Sequence, residues 1–132
     1  MMVVDASALF AILAHEPERA SFEDLIGTQD AVCSAVSYAE LGIVAAHRFG
    51  KDVRPQIDAM LASLGIEVVA VDAEQAVGAV AAHLSFGKGV HGARLNICDC
   101  FSYALAKERD ESLLFKGDDF AKTDVRPAWV LK

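Results

Sequence analysis

Short apolar runs alternate with longer helical patterns along this sequence. The apolar runs are rich in β-branched residues, which predicts strands. The predicted strands lie at residues 2–4, 31–35, 66–71 and 112–115, with a last one near Trp129-Val130-Leu131. Glycine or proline marks the ends of several of the stretches between them, as at helix boundaries. The predicted helices cover residues 7–13, 17–26, 36–49, 56–64, 73–84 and 97–109.

Strands that alternate with helices predict an α/β fold with a mainly parallel sheet that is covered on both faces. The chain has 132 residues, of which 54% are hydrophobic and 23% charged. That length is enough to bury one sizeable core, and no stretch resembles a linker between two cores. We therefore predict a single domain over residues 1–132.

The same pattern bears on location. No apolar run approaches the roughly 20 residues that a membrane span needs. The first run contains Asp5 and has no basic segment before it, so it does not fit a secretory signal. Three cysteines, Cys33, Cys98 and Cys100, fit no disulfide framework and no spaced zinc pattern. We expect a cytoplasmic protein, without membrane contact, in which these cysteines are buried thiols.

The net charge is −7, which argues against a broad electrostatic grip on nucleic acid. Two arrangements would still allow phosphate binding. Divalent cations can neutralise an acidic pocket, and a local basic rim can hold a substrate on a negative protein. A basic protein partner would also be attracted to such a surface.

Candidate chemistry lies in carboxylates that follow the predicted strands, because sites in parallel sheets form beyond the carboxyl ends of the strands. Asp5 ends the first strand, and Asp118 and Asp119 follow the strand at 112–115. Each has a simpler interpretation. Asp5 suits the N-cap of the next helix, and Gly-Asp segments are common in turns.

Two further carboxylates lie on predicted helices. Glu40 shares a helix face with Val36, Ile43, Val44 and His47, which predicts that it points inward. A buried carboxylate needs an ion pair, a proton or a cation, and a salt bridge to Lys or Arg is as good an explanation as a functional role. Asp99 lies three residues after Asn96 among apolar neighbours, so helix capping is an equal alternative to a site.

Considered together, these carboxylates indicate a cation site. Several carboxylates in a dry cleft raise one another's pKa unless a cation offsets their charge. Oxygen ligands of this kind suit Mg²⁺ or Mn²⁺, which promote hydrolytic attack on phosphorus.

Four segments in order resemble one known family. They are Val3-Val4-Asp5-Ala6-Ser7-Ala8, Ser37-Tyr38-Ala39-Glu40-Leu41, the stretch 95–104 around Asp99, and the stretch 113–120 that contains Gly117-Asp118-Asp119-Phe120. They are similar to the PIN domain family and, within it, to VapC toxins of bacterial toxin–antitoxin pairs. The resemblance covers nearly the whole chain. It implies a three-layer α/β/α sandwich and a Mg²⁺- or Mn²⁺-dependent endoribonuclease that cuts a structured RNA and is inhibited by an antitoxin.

The resemblance also implies roles for individual residues. Asp5, Glu40 and Asp99 match the acidic triad of the family, with Asp5 and Asp99 as direct metal ligands. The fourth acid is Asp118 or Asp119, between which the sequence does not choose. Ser7 matches a hydroxyl residue that supports the first aspartate. Separately from the resemblance, the N-cap spacing predicts that Asn96 supports Asp99 as its capping partner. Lys88, His91, Arg94 and Lys116 are the candidates for a basic rim that binds RNA, although a solvated loop is the better explanation of each one taken individually.

Other functions remain open from the sequence. A haloacid-dehalogenase-like phosphatase also uses Mg²⁺ and an aspartate after its first strand, but it would carry a second aspartate where Ser7 stands. A catalytically silent PIN-like protein that only binds its partner is the non-enzymatic alternative. Apolar residues on the early helices suit a homodimer or an antitoxin groove, and a buried core explains them equally well.

Overall fold

The computed structural model describes residues 1–130, and within them four short strands form one parallel sheet. The strands are β1 (Met2–Val4), β2 (Ala31–Ser34), β3 (Ile66–Val69) and β4 (Ser112–Leu114), in the spatial order β3-β2-β1-β4. Met2 pairs with Ala31 on one side and with Ser112 on the other. β1 is therefore a central strand, and its carboxyl end lies between the ends of β2 and β4 at one edge of the sheet.

Within residues 1–130, six α-helices cover the two faces of this sheet. They are α1 (Ala6–Leu13), α2 (Arg19–Ile26), α3 (Ala35–Phe49), α4 (Arg54–Leu64), α5 (Ala73–Phe86) and α6 (Ile97–Arg109), and a 3₁₀ turn follows at Phe120–Lys122. Gly50 and Gly65 end α3 and α4 in the left-handed conformation, with φ values of 70° and 66°. Glycine adopts that conformation without a steric penalty from a Cβ atom, so it readily ends a helix. Both predicted helix ends are confirmed.

Alternate side chains of β1 enter different cores, as the two-residue repeat of a strand requires. Met2 and Val4 pack with the core that includes Leu9, Phe22 and other residues of α1–α4. Val3 packs on the opposite face with Leu105 and other residues of α5 and α6. The predicted three-layer α/β/α sandwich with a parallel sheet is confirmed.

The predicted elements differ from the structure mainly at their ends. β3 ends at Val69 rather than at residue 71, and α5 continues to Phe86. The last predicted strand is wrong at Trp129 and Val130, which lie outside any strand, while Leu131 lies outside the described residues. The pairing found there is an isolated bridge between Pro127 and Leu113. Proline has no N–H to continue a ladder, and the Trp129 ring instead packs edge-on against Phe22.

In the described part of the chain, 1–130, no helix is both long and apolar enough to cross a membrane. The fold determines where the candidate site lies. β1 leads into Asp5, and β4 leads into the segment that contains Gly117-Asp118-Asp119. The amino-terminal parts of α3 and α6 provide the other two predicted acids.

Candidate active site

Asp5 lies at the junction of β1 and α1 and is almost completely buried, with 2% of its surface exposed. Its backbone N–H donates to the Leu114 carbonyl oxygen of β4 at 2.9 Å. Its Oδ2 accepts the Ser7 N–H at 2.9 Å, and its Oδ1 accepts the Ser102 hydroxyl at 2.6 Å. The N-cap predicted as the simpler interpretation is thus present, and the same carboxylate also lines a cavity.

Glu40 is half-buried on α3, but the helix face predicted for it is wrong. The residues of α3 that face the core are Ser37, Leu41 and Ala45, whereas Ile43 and Val44 are 62% and 47% exposed. Positions i, i+4 and i+8 share a helix face, so Glu40 lies at the border of the buried stripe. There it reaches the cavity rather than the protein interior.

The surroundings of Glu40 shift its pKa. Burial raises its pKa, the charge of Asp5 raises it further, and a hydrogen bond from the Cys98 thiol acts in the opposite direction. No ion pair between Glu40 and a Lys or Arg side chain occurs among residues 1–130. The salt bridge considered for this carboxylate is therefore absent from that part of the chain.

Asp99 combines a capping role with a place in the cavity. Its Oδ2 accepts the Asn96 N–H at 3.0 Å, and its own N–H donates to Asn96 Oδ1 at 2.8 Å. Burial raises the pKa of Asp99 to about 7, the Asn96 hydrogen bond opposes this rise, and the charges of Asp5 and Glu40 add to it. The predicted capping arrangement is confirmed, and it coexists with a strongly perturbed carboxylate.

The structure brings three of the predicted acids together. One carboxylate oxygen from each of Asp5, Glu40 and Asp99 lies within 4.8 Å of the other two. The three side chains line a cavity of about 470 Å³ whose wall also includes Phe10 and Val44. Apolar walls reduce solvation of the carboxylates, and the mutual repulsion of these groups favours a bound cation.

The donor set suits a hard divalent cation. It consists of carboxylate oxygens alone, which are the ligands preferred by Mg²⁺ and Mn²⁺. Within the described residues no Lys or Arg side chain forms an ion pair with any of the three acids. The negative charge of the cluster is therefore not neutralised by an ion pair with any described Lys or Arg side chain.

The two candidate fourth acids differ in position, although both are exposed. Asp119 is close enough for its charge to raise the pKa of Asp99. Asp118 instead lines a separate cavity that is bordered by Pro17 and Trp129. Of the two, Asp119 is the one whose charge affects Asp99, and neither side chain lines the cavity of the three acids.

Ser7 and Lys116 meet at the mouth of the carboxylate cavity. The backbone N–H of Ser7 donates to Asp5. The Ser7 hydroxyl oxygen instead accepts the backbone N–H of Lys116 at 3.0 Å. The Lys116 ammonium lies 3.0 Å from Glu16 Oε1 and 2.9 Å from Glu18 Oε2. Lys116 thus lines the cavity while its ammonium forms ion pairs with Glu16 and Glu18.

The other predicted basic residues lie on the loop between α5 and α6. Lys88, His91 and Arg94 are all exposed there. His91 Nδ1 accepts the Ala93 N–H at 2.9 Å, which orders the loop locally. Because this loop leads into Asn96 and α6, it lies next to the segment that carries Asp99.

Ser37, Ser102 and Cys98 were given no role from the sequence. Ser37 and Ser102 are fully buried, and their hydroxyl oxygens lie 3.0 Å apart. The sequence did contain a signal for them. Ser37 is three residues from Glu40 and Ser102 is three residues from Asp99, and side chains three apart share a helix face. Cys98 is half-buried rather than buried, and burial and the nearby Glu40 raise its pKa to about 11.

A model of the PIN domain family matches residues 2–126. This chain belongs to the PIN domain family, and it has the α/β/α architecture that the resemblance implies. Within the family, the chain is similar to a ribonuclease VapC of Mycolicibacterium smegmatis, with 46% identity over 125 residues that cover 94% of this chain and 97% of that protein. The chain is thus a VapC-type member of the family.

Solved structures show the same fold. The Mycobacterium tuberculosis toxin VapC20, described as cleaving the sarcin-ricin loop, aligns with a TM-score of 0.74 at 18% identity, over 96% of this chain and 100% of that one. A toxin–antitoxin complex from Klebsiella pneumoniae contains a chain that aligns with a TM-score of 0.69 at 16% identity, over 99% of this chain and 100% of that one.

Proposed function

We propose that this protein is a Mg²⁺- or Mn²⁺-dependent endoribonuclease that acts as the toxin of a toxin–antitoxin pair in the cytoplasm, with residues 1–132 as one domain. The observation that carries the proposal is the convergence of Asp5, Glu40 and Asp99, with carboxylate oxygens within 4.8 Å of one another. The 46% identical relative, a ribonuclease VapC, supports RNA as the substrate.

Asp5 and Asp99 would hold the cation directly, and Glu40 would complete the acidic cluster. A bound Mg²⁺ or Mn²⁺ lowers the pKa of a coordinated water and stabilises negative charge on phosphate oxygens. Asp5 is fixed by hydrogen bonds to both oxygens, so it keeps one orientation. Glu40 lines the cavity wall and would orient the attacking water, and Asp119 would add negative charge near Asp99.

RNA would be held by a basic rim rather than by the whole surface, because the net charge is −7. Lys88, His91 and Arg94 are exposed on the loop that leads into the Asp99 segment. Lys116 lines the cavity mouth itself. To bind a phosphate, its ammonium would exchange the carboxylates of Glu16 and Glu18 for phosphate oxygens.

The comparisons support a structured RNA and a protein inhibitor. VapC20 is described as cleaving the sarcin-ricin loop, and the Klebsiella pneumoniae neighbour is a toxin–antitoxin complex. A groove between α1, α2 and α4 is a candidate place for an antitoxin, since Leu13, Met60 and Leu64 line it together with the charged side chains of Arg19 and Glu23. We also propose a homodimer, because α5 exposes Val77 and Leu84 at 71% and 68%.

The proposal is tested by incubating total cellular RNA with the purified protein and Mg²⁺ or Mn²⁺. Parallel reactions contain a chelator, the Asp5→Asn variant, or a generic phosphomonoester in place of RNA. Discrete RNA fragments that require both the metal and Asp5 are expected. Metal-dependent phosphate release without RNA cleavage would instead indicate a phosphatase, and inactivity toward both substrates would support a silent binding protein.

A further inference from the structure

Two buried serines lie beneath the acidic cluster. Ser37 precedes Glu40 by three residues on α3, and Ser102 follows Asp99 by three residues on α6. Neither serine exposes any surface, and their hydroxyl oxygens are 3.0 Å apart. The two helices that carry Glu40 and Asp99 are therefore joined by a hydroxyl pair one turn away from these acids.

The direction of the hydrogen bonds follows from counting protons. The Ser102 hydroxyl donates to Asp5 Oδ1 at 2.6 Å. A hydroxyl has one proton to donate, so in the contact between the two serines Ser37 is the donor and Ser102 the acceptor. The series of hydrogen bonds runs from Ser37 through Ser102 and ends on the Asp5 carboxylate.

This series of hydrogen bonds joins the three segments of the cluster, because Ser37 lies on α3, Ser102 on α6 and Asp5 after β1. It also completes the hold on Asp5, whose Oδ2 is bound by the Ser7 N–H. A carboxylate oxygen has two lone pairs. One hydrogen bond to each oxygen therefore fixes the plane of the Asp5 carboxylate and leaves an acceptor position on both oxygens.

We propose that Ser102, supported by Ser37, is a positioning residue that orients the Asp5 carboxylate for cation binding. The proposal rests on the proposed function, since it assumes a cation at Asp5. Ser102 acts through Asp5 and makes no contact with the cation. Partners that orient metal ligands in this way typically change metal affinity by about 10-fold to 100-fold when they are removed.

The experiment measures Mn²⁺ affinity by isothermal titration calorimetry for the full-length protein and its Ser102→Ala variant. Alanine is the best helix former, so the variant is expected to fold. We expect Mn²⁺ to bind on the order of tenfold more weakly. Ser37→Ala should show a smaller loss, because Ser102 can still donate to Asp5 without it.

Ser34→Ala is the matched control. Ser34 is also a fully buried serine, but it caps α3 by accepting the Val36 N–H at 3.1 Å and has no bond to Asp5. We expect it to lower the thermal midpoint of the metal-free protein and to leave Mn²⁺ affinity unchanged. A loss of affinity in Ser102→Ala alone supports the positioning role.

Two results overturn the positioning role while leaving the proposed function intact. One is wild-type Mn²⁺ affinity in Ser102→Ala, and the other is an equal loss of affinity in Ser34→Ala and Ser102→Ala. A wild-type protein that binds no Mn²⁺ overturns the proposed cation site itself and this proposal with it. The wild-type titration therefore separates the two failures.

Discussion

Asp99 and Asn96 cap the start of α6 reciprocally, each accepting the backbone N–H of the other at 3.0 and 2.8 Å. The same Asp99 carboxylate lies within 4.8 Å of oxygens of Asp5 and Glu40. One side chain therefore begins a helix and belongs to the cluster of acids. An asparagine at this position retains the oxygen that accepts the Asn96 N–H and removes the charge, so Asp99→Asn separates the two roles.

The first prediction concerns pH and stability without divalent metal. The pKa of Asp99 is raised from 3.8 to about 7 in the folded protein. The folded state therefore binds a proton more tightly than the unfolded state, and the free energy of unfolding falls as pH rises from about 4 to about 7. Asp99→Asn should show a weaker fall. Urea unfolding at pH 5 and pH 8 measures this change in the free energy of unfolding. An equal pH dependence in the wild type and in Asp99→Asn would contradict a raised pKa of Asp99.

Added metal should stabilise the protein through the same cluster. A ligand that binds only the folded state at 100 times its Kd stabilises it by about 2.7 kcal/mol. Mg²⁺ or Mn²⁺ at such an excess should therefore raise the Tm of the wild-type protein by several degrees. Asp5→Asn should lose most of this rise, measured by thermal denaturation with and without chelator. An undiminished rise in Asp5→Asn would show that the metal binds elsewhere.

Asp118 and Asp119 form a matched pair of adjacent acids. The charge of Asp119 reaches Asp99, whereas Asp118 lines a different cavity. We expect Asp119→Asn to reduce the RNA cleavage rate on the order of tenfold at a fixed, subsaturating Mn²⁺ concentration, as for other residues that tune a metal site. Asp118→Asn should remain close to wild type. A larger loss in Asp118→Asn would reverse the choice of fourth acid.

RNA affinity should depend on the loop between α5 and α6. Lys88→Ala and Arg94→Ala should each weaken binding and reduce the slope of log affinity against log salt by about 1 for each lost phosphate contact. Filter binding with the Asp5→Asn protein measures affinity without cleavage. Lys51→Ala is the control, since Lys51 is exposed just beyond the end of α3 that lies away from Glu40. Slopes that match the control would exclude this loop from the RNA site.

Much of the fold could be predicted because local signals agree with the tertiary structure. The bounds of β1 and α6 are those predicted, and glycines mark the ends of α3 and α4. The segment that contains Trp129 was misassigned because a short apolar run also suits a residue that packs its ring on Phe22. Apolarity alone does not distinguish pairing in a sheet from packing against it.

The acids of the site were predictable and their support was not. Asp5 follows a strand in the sequence, and the carboxyl ends of parallel strands meet at one edge of the sheet. The inward face of Glu40 was misjudged because Ile43 and Val44 are apolar yet exposed. Ser102 and Asp5 are separated by 97 positions, so their hydrogen bond depends on tertiary packing that no local pattern encodes.

The central claim is that Asp5, Glu40 and Asp99 form one cation site for RNA cleavage, and a double-mutant comparison tests it most directly. Single-turnover rates would be measured with excess protein on an RNA that the wild type cleaves, for Asp5→Asn, Asp99→Asn and the double variant. Residues that act as a unit are strongly non-additive. The account predicts that each single variant loses nearly all activity and that the double variant is no slower than the slower single one. Near-normal rates in the single variants, or losses that multiply in the double variant, would contradict it.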